Sequence, residues 1–98
     1  RITNTMEMLA KAIDEAGTAE DMVAVANALS GMEHESLWGS QLFMRPQDHQ
    51  LIQDVHIHVH TDEGVTFDLD NSGFGTVVES TISMAAMDSP TTCEMRRP

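Results

Sequence analysis

The chain has 98 residues, enough for one domain or part of one, with a small core. Its hydrophobic fraction of 41% argues against disorder, and eight Met supply flexible core material where aromatics are scarce (one Trp, three Phe, no Tyr). Sixteen acidic residues against five Lys and Arg leave a formal charge of -11, which argues against nucleic acid and anionic membrane surfaces as partners.

The first stretch reads as helix. Asn4 and Glu7 have capping-box spacing, and Met6, Leu9, Ala10 and Ile13 follow at helical intervals. Gly17 supplies the stop. Thr18, with Asp21 three residues on, is expected to cap a second helix whose apolar stripe is Met22, Val25, Ala26 and Leu29, ended by Gly31. Residues 1–31 are therefore two helices, each needing another surface for its stripe.

Residues 32–87 read as strands. Met32 to Ser36 is a polar connector. Leu37 to Arg45 is an irregular strand with Trp38, Leu42 and Phe43 as its bulk. Pro46 to Gln50 is a turn leading into one long strand, Leu51 to His60. In its second half Val55, Ile57 and Val59 alternate with His56, His58 and His60, the pattern of a half-buried strand with the imidazoles outward. Asp62-Glu63-Gly64 signals a hairpin, after which Val65, Phe67 and Leu69 alternate again. Asp70 to Gly73 is a turn, and Thr76 to Ile82 a β-branched strand. Residues 88–98 form an extended tail. Taken alone, the chain is two helices followed by three or four mainly antiparallel strands and a tail, a thin unit resembling pieces of a larger α/β core.

Three constellations invite a chemical reading. His56, His58 and His60 lie on one strand face, where a metal could be shared with Asp54 or His49. The simpler reading is a solvent face, and no metal ligand is assigned there. Asp68, Asp70, Ser72, Gly73 and Glu79 satisfy the D-x-D-x-S-G-x5-E spacing of an EF-hand calcium loop. The flanks alternate with period two instead of being helical, the branched apolar loop position is Gly75, and there is no second loop. The stretch therefore reads as a hairpin turn. Asp48-His49 pairs an acid with a base, but a turn whose side chains bond local backbone is the better reading. No nucleophile elbow or phosphate loop is present, so no catalytic residue, cofactor or enzymatic activity is assigned.

Several runs, in order, resemble a known family. Met8-Leu9-Ala10-Lys11-Ala12-Ile13-Asp14-Glu15-Ala16-Gly17, Ala28-Leu29-Ser30-Gly31-Met32 and Arg45-x-x-Asp48-His49-Gln50-Leu51-Ile52-Gln53-Asp54-Val55 are similar to the C-terminal region of branched-chain amino acid (Leu/Ile/Val)-type ABC transporter solute-binding proteins, the type I periplasmic binding proteins. Phe67-Asp68 with Ser72-Gly73-Phe74-Gly75, and the ending Pro90-Thr91-Thr92-Cys93-x-Met95-x-Arg97-Pro98, resemble one subgroup. Trp38-Gly39-Ser40-Gln41 departs from the Gly-Pro pair usual there. The resemblance implies a two-lobed α/β protein that closes about a hinge on an amino acid, amide or similar polar solute and delivers it to a membrane permease from the periplasm or cell exterior. Residues 1–98 would be a partial domain, its C-terminal segment. Arg1 in first position and the lone Cys93 fit a chain cut from something longer. Cys93 reads most simply as a free thiol, and the resemblance implies a partner upstream. Such a fragment would expose apolar faces and could self-associate. The ligand-gripping loops of the family lie upstream, so no ligand-contact residue is carried over.

Overall fold

The protein is described from a computed structural model, over residues 2–96. It is a small mixed domain of helices and antiparallel sheet. The first helix, α1, spans Ile2–Ala16 and the second, α2, spans Met22–Leu29. Helix α1 stops where Gly17 turns left-handed, with φ 69°, and its N–H donates to Asp14 O at 3.2 Å. Asn4 lies inside the first turn, so it does not cap the helix as its spacing with Glu7 predicts. The cap of α2 is Asp21, whose Oδ1 accepts from the N–H groups of Val23 and Ala24 at 3.0 Å each. Thr18 acts one step earlier, accepting from the N–H groups of Glu20 and Asp21.

Both helices face a three-stranded antiparallel sheet in the order β1 (Glu33–Glu35), β2 (Gln41–Met44), β3 (Leu51–Gln53). Strand β1 falls in the expected polar connector. Its Glu-His-Glu sequence carries no apolar alternation, and pairing with β2 through His34↔Leu42 makes it a strand. Met8, Ala12, Val25 and Met32 form the buried cluster, flanked by Leu29, Met44 and Leu51. Two polar contacts tie α1 to β1: Lys11 Nζ donates to Glu33 O at 3.1 Å, and His34 Nε2 donates to Glu7 Oε2 at 2.9 Å.

The expected strand Leu37 to Arg45 is a strand only from Gln41. Before it, Ser36 organises a turn: its Oγ accepts from the N–H groups of Trp38 and Ser40. Trp38, expected as strand bulk, is 91% exposed at the tip.

The long strand Leu51 to His60 breaks at Asp54. Its second half, β4 (Val55–Thr61), leaves the three-stranded sheet and pairs with β5 (Gly75–Ile82) as a separate two-stranded ribbon. Register runs from Val55↔Ile82 to Thr61↔Gly75, with a bulge between Ile57 and His58 that leaves Glu79 as the extra residue on β5. The expected strand over Val65, Phe67 and Leu69 is loop, and Leu69 is 98% exposed. The β-branched β5 takes the pairing edge of β4 instead. A short helix absent from the sequence reading, α3 (Met84–Met87), follows β5 and packs beside β3.

The ribbon makes the molecule long, with extents of 51 × 29 × 18 Å and a radius of gyration of 17.2 Å. A compact chain of this length would have about 13 Å. The histidines are exposed, but the face that His56 and His58 share turns toward the body and not away from it as expected, and the opposite face is not buried: Ile57 is 43% and Val59 39% exposed.

Candidate functional site

The densest side-chain network lies where β2 turns into β3. Arg45 follows β2 directly, and a backbone turn closes over it: its N–H donates to Gln50 O, and the His49 N–H donates to Arg45 O, each at 2.9 Å. His49 is left-handed at φ 54°, which lets the chain reverse within Pro46 to Gln50. Here the sequence reading of a turn holds, and so does the role given to Asp48, whose Oδ1 accepts from the Gln50 N–H at 3.0 Å.

Inside this turn Arg45 is 7% exposed, and its guanidinium is fully engaged. Nε and Nη2 grip both oxygens of Asp48, at 3.0 and 2.6 Å, in a fork-to-fork pair. Nη2 also donates to Gln50 Oε1 at 2.9 Å. Nη1 reaches the tail, donating to Asp88 Oδ1 at 2.8 Å and to the carbonyl of Ser89. Thr91 adds a hydroxyl bond to Asp48. Bonding to Arg45 holds the Asp48 carboxyl far below the usual carboxylate range, despite opposing desolvation. The same bond raises Arg45 further above its ordinary value. The arrangement is a positioning device: it pins the tail to the β2–β3 turn and leaves Arg45 no free donor face for a substrate.

The other constellations are placed differently. His56, His58 and His60 share one ribbon face without converging on a common point. His56 Nδ1 bonds Thr81 Oγ1 at 2.9 Å. The His56 and His58 rings meet edge-on at 6.4 Å. The His60 ring stacks on Phe74 at 5.7 Å. Among the described residues no three His, Cys, Asp or Glu come together as a set that could hold a metal ion. Asp54 Oδ1 accepts from the Met84 N–H at 2.6 Å.

In the Asp68 to Gly75 loop the carboxylates face the backbone. Asp68 accepts from the N–H groups of Ser72 (3.0 Å) and Gly73 (2.7 Å), and Asp70 from Ser72 Oγ at 2.8 Å. These hydrogen bonds, Ser72 first, lower the Asp70 pKa. Glu79, the distal position of the calcium pattern, sits on a different element, at the β5 bulge. Cys93 is an exposed free thiol in the tail.

Between the ribbon's histidine face and the body lies a cleft of about 660 Å³, walled by Trp38, Leu42, His56, His58, Phe67 and Val78, with Asp54 at its margin. It was not legible in the sequence, because its walls, Asn4 included, come from five separate stretches. The aspartates that organise the bend and the tail, Asp54 and Asp88, were also hidden: their partners lie 30 and 43 residues away. No helix is long and apolar enough to cross a membrane among the described residues. No family model, curated protein or solved structure matches the chain.

Proposed function

We propose that the chain is the C-terminal part of one lobe of an extracytoplasmic solute-binding protein, which binds an amino acid, amide or related polar molecule and passes it to an ABC permease. One observation carries the reading: the chain does not cover its own apolar faces. Ile2, Met6 and Met22 on the helices, and Ile57, Val59 and Ile82 on the ribbon, stand in solvent. Isolated two-stranded ribbons are marginal in water, so this one needs a further layer. A larger α/β lobe would supply that layer.

In this reading the body is scaffold and the ribbon is a crossing toward the second lobe. The Arg45 node fixes the tail, and the solute contacts come from other parts of the protein. Its role is binding without catalysis, consistent with an Arg45–Asp48 pair that is fully occupied by structural bonds. The resemblance of residues 8–17, 28–32 and 45–55 to the Leu/Ile/Val-type family supplies the solute class and the periplasmic setting.

The test is the native protein from its source, detected with an antibody against this chain. The expected result is a polypeptide several times larger than 10.8 kDa whose melting temperature rises with one member of an amino acid and amide panel. A native mass of 10.8 kDa with no stabilisation by any member would overturn the proposal.

A further inference from the structure

Two large aromatic side chains stand in solvent around one cleft. Trp38, at the tip of the turn that Ser36 organises, is 91% exposed, and Phe67, in the loop between β4 and β5, is 77% exposed. Neither belongs to the buried cluster, so packing does not explain them. Exposed apolar surface of this kind, gathered at one place, marks a site of interaction. Both side chains line the cleft of about 660 Å³, together with His56 and His58 from β4, Val78 from β5, and Asp54. A cleft of that size holds a small organic molecule.

The walls select the charge of that molecule. Aromatic rings carry negative potential on their faces and attract cations. Among the described residues that line the cleft none is Lys or Arg, and Asp54 is the one carboxylate. Its Oδ1 is engaged by the Met84 N–H, which leaves the carboxylate its charge. The net charge of -11 adds a field that draws cations and repels anions. A primary ammonium brings N–H donors that each need an acceptor, whereas a quaternary ammonium has none to satisfy and suits aromatic walls. We infer that the cleft between Trp38 and Phe67 binds an organic cation of the quaternary ammonium class, its charged head held by the aromatic rings and the field of Asp54. The site lies within this chain, apart from the solute contacts placed elsewhere in the solute-binding reading, and it stands or falls independently of that reading.

Trp38 is the only tryptophan and there is no tyrosine, so its emission reports the site directly. The full chain is titrated with choline, with benzyltrimethylammonium, with the neutral alcohol in which carbon replaces the choline nitrogen, and with benzenesulfonate. A saturable change in emission is expected with both ammonium compounds, with the neutral alcohol binding about fivefold more weakly than choline and benzenesulfonate not at all. Phe67→Leu and Asp54→Asn both keep the reporter, and the second keeps an acceptor for the Met84 N–H. Each is expected to weaken benzyltrimethylammonium binding by about threefold or more, with the helical circular dichroism unchanged. Equal affinity for choline and its neutral counterpart would overturn the inference, as would saturable binding of benzenesulfonate, no saturable change with either ammonium compound, or unchanged affinity in either variant. If Asp54→Asn loses its helical signal, Phe67→Leu, altered at an exposed position, decides alone.

Discussion

At Arg45 a single side chain holds three pieces of chain, and its partner Asp48 sets a pH dependence. Asp48 has its carboxyl pKa depressed in the folded state, mainly by Arg45. The unfolded chain, with a carboxyl pKa of about 3.9, therefore binds the proton more readily. The stabilisation is present above that value and is lost as pH falls through the folded one. Thermal melts are expected to show stability declining below about pH 4, with a shallower decline in Asp48→Asn, which is also less stable at neutral pH. Core residues give a second prediction. Met8 is 2% exposed in the helix–sheet cluster, and Met8→Ala should cost about 2–5 kcal/mol in denaturant titration. Trp38→Ser, at an exposed turn tip, should stay within about 0.5 kcal/mol of the parent. The Arg45-x-x-Asp48 spacing and the Asp48-His49-Gln50 turn were legible because both partners are local. Asp88 and Ser89 were not, because a bond to the tail leaves no mark in either stretch.

At the scale of elements, the helices were legible and their caps only in part. Thr18 and Asp21 are both cap-forming types, and the expectation that Thr18 caps α2 fails because the helix starts three residues later than its spacing suggests. The backbone puts Asp21 at the extended cap position, with φ -84° and ψ 92°. Asp21→Ala is expected to cost about 1 kcal/mol by thermal melting. The strand count failed where pattern and pairing part company. Val65, Phe67 and Leu69 alternate as well as β5 does, yet β5 has more β-branched residues and wins the edge of β4. The loop then folds back onto the start of β5. A Cβ at Gly75 would meet Val65 Cγ1 at 2.5 Å and Phe67 O at 3.3 Å. Gly75→Ala should therefore shift amide resonances across residues 65–75 while leaving those of α1 and α2 in place.

For the whole molecule, the alternation of Val55, Ile57 and Val59 gave the faces of β4 but not their burial. A period of two says which residues share a face; what lies against that face depends on elements elsewhere. Here the break at Asp54 carries the strand away from the helices, so the apolar face meets solvent. The central claim is that this chain is an incomplete layer, and sedimentation of the isolated 98 residues across a wide concentration range tests it most directly. The account predicts concentration-dependent self-association that weakens in Ile57→Lys with Val59→Lys. A monodisperse monomer that melts cooperatively at every concentration would contradict it.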